Sequence, residues 1–111
     1  MSARLASGLW VSAYLHRLQA EGIPAYIIAR GDGTAGAVLV KCATLDGRAE
    51  AHERVTDLMS GLRRWNCVTE GPEPEVDALI ERQRARDPDL WVIEVESRSG
   101  RHMLDDPGLD V

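Results

Sequence analysis

The sequence predicts one α+β domain: two helices and a mainly antiparallel sheet of about five strands, with room for a parallel pair, in the order α-β-β-β-β-α-β. Three observations predict it. Apolar residues recur at helical spacing in two stretches, Trp10, Val11, Tyr14, Leu15 and Leu18 in one and Val76, Leu79 and Ile80 in the other. The segments between and after them are rich in β-formers, and Asp-Gly pairs at 32–33 and 46–47 punctuate those segments as tight hairpin turns. A chain of 111 residues is also the length of one domain, and on folding it buries roughly 65% of the surface its unfolded form exposes.

Ser7 is placed to cap a first helix that runs to about Glu21, where Gly22 and Pro24 stop it. Strands follow near residues 24–30, 36–43 and 48–54. With two-residue loops at both Asp-Gly pairs, Ile27 faces Val38 and Lys41 faces His52, because paired positions across a hairpin sum to a constant. Alternation then gives the sheet two unlike faces. Ala25, Ile27, Ala29, Val38, Val40, Cys42, Ala49 and Ala51 make a small apolar face suited to both helices. Tyr26, Ile28, Arg30, Leu39, Lys41, His52 and Arg54 make the other, apolar at its centre and basic at one end.

A fourth strand is expected at Leu62–Val68, followed by a loop over Glu70–Pro74 with Pro74 opening the second helix. Glu75 and Asp77 early in that helix and Arg82, Arg84 and Arg86 late in it complement its macrodipole, and Asp87-Pro88-Asp89 breaks it. The last strand, Leu90–Glu96, alternates Trp91, Ile93 and Val95 against Val92, Glu94 and Glu96. Strand, helix and strand from 62 to 96 can form one crossover unit, which makes the sheet mixed. Residues 102–111 form a polar tail that either docks or stays loose.

The net charge is −5, and its distribution is uneven. Residues 56–111 hold seven Arg and thirteen Asp or Glu, whereas residues 1–55 hold six Lys or Arg and five acids, so a basic patch can form only in the first half. This balance argues against nucleic acid as a partner, because a clustered basic surface supplies most of that affinity. No apolar run approaches the roughly 18 residues of a membrane helix, and no charged-then-apolar leader pattern opens the chain; the expectation is a cytoplasmic protein without a membrane partner. Phe is absent, so the three Trp are expected core anchors. Cys42 and Cys67 are too few and too far apart for a disulfide framework and read as small buried hydrophobes. His16, His52 and His102 are scattered without the i, i+4 spacing of a zinc site, so neither metal nor cofactor is expected.

Residues Gly31-Asp32-Gly33-Thr34-Ala35-Gly36 spell G-x-G-x-x-G, a string that cradles a pyrophosphate when it opens a helix. Here β-rich runs flank it on both sides, so it reads as a turn that reverses an antiparallel ribbon. No catalytic set emerges elsewhere. Cys42 and His52 fall on opposite faces in the inferred register, and there is no G-x-S-x-G elbow. Glu94 and Glu96, about 7 Å apart along a strand, read as a solvated outer face, and Asp87 and Asp89 read as turn residues. The expected function is therefore a non-enzymatic protein-interaction or adaptor module, meeting a protein partner or a second copy of itself. The alternative is a binder of a small anion or phosphorylated ligand at Arg30, Gly31, Asp32, Gly33, Lys41, His52 and Arg54, where cations from three neighbouring strands surround a glycine turn with free backbone N–H groups.

Several stretches carry a family likeness: Leu9-Trp10-Val11-Ser12-Ala13, Arg30-Gly31-Asp32 with Ala35-Gly36-Ala37-Val38-Leu39-Val40-Lys41, and Arg82-Gln83 with Asp87-Pro88-Asp89-Leu90-Trp91-Val92-Ile93-Glu94-Val95-Glu96. From about Arg4 to Leu104 the chain resembles a family of small, mostly alphaproteobacterial proteins catalogued as a domain of unknown function (number fourteen ninety-one). The resemblance implies a bacterial single-domain protein and carries no activity, ligand or catalytic residue with it.

Overall fold

Trp10, Val11, Tyr14 and Leu18 share one stripe of helix α1 (Ser7–Ala20), and all four are buried. The computed structural model describes residues 5–106, and the elements follow the predicted order. Strands β1 (Ala25–Ala29), β2 (Val38–Ala43), β3 (Arg48–Thr56) and β4 (Arg63–Pro72) precede helix α2 (Glu73–Arg86) and strand β5 (Trp91–Glu96). The five strands form one sheet in the spatial order β1-β5-β2-β3-β4, antiparallel throughout except for the parallel pair β2 and β5. The β4-α2-β5 crossover returns the chain in the direction of β4 but carries it past β3 and β2 before it inserts.

That insertion corrects the first predicted hairpin. β5 lies between β1 and β2, so Ile27 faces Ile93 and Val38 faces Trp91 instead of each other. The chain does reverse direction across Gly31–Gly36 without helical turns, but around a gap one strand wide. The second hairpin forms with its register moved by one. Thr44 N–H bonds to Arg48 O, leaving three loop residues, with Leu45 and Gly47 both at positive φ (62° and 88°). Asp46 holds this loop together by accepting from the Thr44 hydroxyl at 2.6 Å and the Arg48 N–H at 3.2 Å. The extra residue turns β3 over relative to β2: Lys41 faces Ala51, and His52 faces Val40.

Because of that shift the predicted small-residue face is divided, and the helices cover opposite faces rather than sharing one. Val38, Val40, Cys42, Trp91, Ile93 and Val95 pack beneath α1. Leu39, Ala49, Ala51 and Val92 pack beneath α2, against Val76 and Ile80. A bulge between Ile27 and Ala29 divides β1 likewise, sending Ile27 to the α1 side and Ala29 to the α2 side. β4 runs through the expected loop to Pro72, so α2 begins at Glu73 with Pro74 in its first turn. After β5 the chain crosses beneath α1. Met103 and Leu104 are buried in the α1 core, and the Tyr14 hydroxyl donates to His102 O at 2.7 Å. The start of the predicted tail is thus docked; residues 107–111 lie outside the described residues. No described helix is long and apolar enough to cross a membrane.

Candidate functional site

The glycine turn is held between α1 and the Asp87–Trp91 corner. Ser7 N–H and Gly8 N–H, the first donors of α1, bond to Thr34 O and Gly33 O, and the Ser7 hydroxyl donates to Gly36 O at 2.6 Å. Ser7 therefore ties the helix to the turn, and Ala6 takes the N-cap position predicted for it. On the other side Asp32 N–H bonds to Asp89 O, and Trp91 donates from Nε1 to Asp32 O at 2.8 Å. Two of the amides expected to hold an anion, those of Thr34 and Ala35, already hold one of the chain's own. Asp32 Oδ2 accepts from Ala35 N–H at 2.8 Å and Thr34 N–H at 3.3 Å, while Gly36 N–H bonds to Asp32 O.

The predicted cations do not converge. Arg30 is exposed near the C-terminal end of α2, in a cleft with Arg84 and Asp87. Lys41 lies on the α2 face with its side chain only 6% exposed, and His52 and Arg54 lie on the α1 face. Lys41 Nζ reaches Glu73 Oε2 and Asp77 Oδ1 at 2.7 Å each and Glu94 Oε1 at 3.3 Å. Burial works against its ammonium form, but the hydrogen bonds it donates to Asp77 and Glu73 and the charge of Glu94 outweigh it and hold the group above its ordinary value. Glu94 is thus one of three partly exposed carboxylates gathered on a buried ammonium rather than part of a solvated outer face. Lys41 spends its charge in joining α2 to the centre of the sheet.

On the α1 face Glu50 and His52 project two residues apart from β3, and the docked segment after β5 brings His102 to them. His52 Nε2 is 3.3 Å from Glu50 Oε1, the His52 and His102 rings lie 4.6 Å apart, and one ligand atom from each of the three residues falls within 4.8 Å of the others. His102 Nδ1 accepts from Leu104 N–H at 3.0 Å. Burial and the facing His52 push the His102 imidazole below its usual range.

Cys42 faces Glu50 and therefore shares the α1 side with His52, contrary to the register inferred from the sequence. It remains a poor nucleophile for a different reason: burial, and then the Glu50 charge, push its thiol up to about 11. Cys67, expected to be buried, is exposed opposite His52 on β4. The guanidinium of Arg54 lies 5.2 Å from the Trp10 ring, which also meets Trp65 at 5.3 Å. Arg54 and Arg63 line a cleft of about 380 Å³ beside Ser7 and Thr34–Ala37.

β3 and β4 continue past Glu53, where β2 ends its pairing, and carry an apolar tip into solvent. Leu58 and Met59 are each 96% exposed and Leu62 68%. The polar residues make the turn. Asp57 N–H bonds to Leu62 O, Asp57 Oδ1 accepts from Met59 N–H at 2.8 Å, and Leu62 N–H bonds to Ser60 Oγ at 3.2 Å. The Met59 N–H bond holds the Asp57 carboxyl below its ordinary range. A signal for this feature was present in the sequence: Leu58-Met59 stands where turn chemistry calls for polar side chains. His102 gave no such signal, since only tertiary docking brings it to β3.

The sequence profile of a family described as "Protein of unknown function (DUF1491)" matches residues 5–105. The chain belongs to this family. A crystal structure of a DUF1491 family protein from Caulobacter crescentus is 38% identical, with a TM-score of 0.81 over 93% of this chain and 95% of that one. An NMR structure of a DUF1491 family protein from the same organism, also 38% identical, has a TM-score of 0.83 over 96% of this chain and 97% of that one. The solution structure of Atu0922 from A. tumefaciens is 32% identical, with a TM-score of 0.73 over 86% of this chain and 87% of that one. Comparison with curated proteins found no match. The family description assigns no activity. Parts of two of the stretches that carried the resemblance meet in space: Asp32 and Ala37, at the two ends of the glycine turn, are bonded to Asp89 and Trp91 of the corner before β5.

Proposed function

We propose that the protein is a non-enzymatic interaction module of the bacterial cytoplasm that docks through the tip of its β3–β4 hairpin onto a protein partner with an apolar groove. The observation that carries this reading is the near-complete exposure of Leu58 and Met59, with Leu62 beside them, on a hydrogen-bonded turn. Large apolar side chains held out in water are a standing cost, and burying each one contributes on the order of 1.5–3 kcal/mol. An ordered turn also loses less entropy on docking than a flexible loop does. Among the described residues the tip side chains belong to neither core cluster. Combined Leu58→Ser, Met59→Ser and Leu62→Ser is thus expected to change folding stability by no more than about 0.5 kcal/mol. A photo-crosslinking residue at position 59, expressed in the native cell, is expected to capture one defined protein, or a second copy of this chain. The triple variant should lose that partner on co-purification. Retention of the same partner by the triple variant, or no crosslinked species from position 59, would overturn the reading.

A second reading, binding of a small anion, is favoured by two arginines, Arg54 and Arg63, lining one cleft. It predicts that inorganic phosphate raises the melting temperature of the wild type, by the equivalent of about 2.7 kcal/mol at about 100 times its Kd. Arg54→Gln with Arg63→Gln should abolish that increment, whatever its effect on the ligand-free melting point. An increment equal to that given by matched ionic strength of chloride counts against the anion site.

A further inference from the structure

We propose that Glu50, His52 and His102 form a binding site for one divalent d-block cation of the zinc class, and that occupancy of this site is coupled to the docked segment following β5. The site is independent of the hairpin tip. Two imidazoles and one carboxylate are a donor set that zinc accepts with a fourth position left for water. Zinc bonds of about 2.0–2.1 Å in tetrahedral geometry require ligand atoms roughly 3.3 Å apart. His52 Nε2 and Glu50 Oε1 already stand at 3.3 Å, and no pair in the set exceeds 4.8 Å, so a side-chain adjustment suffices. Strand geometry fixes two of the donors: Glu50 and His52 are i and i+2 on β3 and must share a face. The third is positioned by burial of Met103 and Leu104 and by the Tyr14 hydroxyl bonded to His102 O. Access comes from the Glu50 side, where that residue lines an open cleft of about 250 Å³ with Arg98 and Ser99.

The coupling follows from the ring nitrogens of His102. Its Nδ1 lone pair accepts the Leu104 N–H. A metal on Nδ1 takes that lone pair directly. A metal on Nε2 requires the single proton of the neutral ring to sit on Nδ1, which then ceases to accept. On either nitrogen, metal binding releases the Leu104 amide from its partner, and the turn at Met103, whose φ is 60°, must readjust. A site that breaks a backbone hydrogen bond as it fills acts as a switch on the segment that bears it.

The test uses the full chain, stripped with chelator and titrated with Zn²⁺ by calorimetry, alongside amide NMR spectra of the same samples. The expected result is one saturable equivalent of Zn²⁺, accompanied by a shift of the Leu104 amide resonance and faster hydrogen exchange there. Glu50→Gln and His102→Gln should each weaken binding by at least about tenfold. Glu50→Gln, which removes a partly exposed charge, keeps the test valid if His102→Gln unfolds. Cys67→Ser should leave binding unchanged, because Cys67 Sγ is directed to Thr69 O and is not one of the three donors. Absence of a saturable equivalent, binding that survives Glu50→Gln at full strength, binding lost in Cys67→Ser, or a Leu104 amide unmoved at saturation would each overturn the proposal.

Discussion

Gly31→Ala is expected to destabilise the domain by about 3 kcal/mol, lowering the melting temperature by about 12 °C, whereas Gly33→Ala two residues away is expected to be nearly neutral. A Cβ at Gly31 would be driven into Asp89 O and would lie 2.6 Å from Trp91 Cδ1 and 2.7 Å from Trp91 N. Those atoms are not flexible ends. Asp89 O accepts from Asp32 N–H, and Trp91 is committed to β5 and to the bond from its Nε1 to Asp32 O. Relief of the clash must therefore open the contact between the turn and the corner, with loss of hydrogen bonds as well as packing. Gly36→Ala meets the same Asp89 carbonyl and should behave like Gly31→Ala. At Gly33 a Cβ meets no atom of the described residues within 4 Å, so removal of unfolded-state freedom offsets any local cost. Thermal or urea unfolding of the three variants decides the matter. Equal stabilities would mean that the hexapeptide is not gripped as described. A hexapeptide built to cradle phosphate would instead show its substitutions mainly in ligand affinity.

Element order and the two helical stripes were legible because each rests on local periodicity, and local periodicity survives folding. Strand neighbours were less so. The Asp32-Gly33 pair suggested a hairpin, yet β5, which begins only at Trp91, takes the place beside β1. A cue to this existed: Val38-Leu39-Val40 and Trp91-Val92-Ile93 are apolar without alternation, the mark of strands covered on both faces, and they became the central parallel pair. The predicted cluster of cations was dispersed on smaller grounds. One extra loop residue at Leu45–Gly47 reverses which side chains of β3 accompany those of β2, so Lys41 and His52 were separated and Cys42 and His52 brought to one side. Loop conformation at that resolution depends on how Asp46 bonds Thr44 and Arg48, and composition alone does not encode it. His102 joined His52 through the docking of a segment that reads as polar apart from Met103 and Leu104, the two residues that anchor it.

The largest electrostatic effect is expected at Lys41. Lys41→Met retains most of the apolar stem but leaves Glu73, Asp77 and Glu94 facing one another without their shared cation. Removing one partner of a buried ion pair costs about 3–5 kcal/mol, and the partial exposure of Glu73 and Asp77 places this change near the lower value. Adding Glu73→Gln, Asp77→Asn and Glu94→Gln to Lys41→Met should recover most of the loss, because the cost lies in stranded charge rather than in a missing attraction. Alkaline pH supplies a second check. The folded ammonium is held above its unfolded value of about 10.4, so its contribution is complete below that pH and declines as pH rises toward the higher folded value. The gap between wild type and Lys41→Met, read from urea unfolding, should therefore be constant from pH 7 to about 9 and narrow above about 10.5. A gap below about 1 kcal/mol at pH 7 would show the cluster to behave as an ordinary surface ion pair, and α2 would then owe its place mainly to the burial of Val76 and Ile80. A gap of the expected size makes Lys41 a structural charge, neutralised where it stands and unable to serve a ligand.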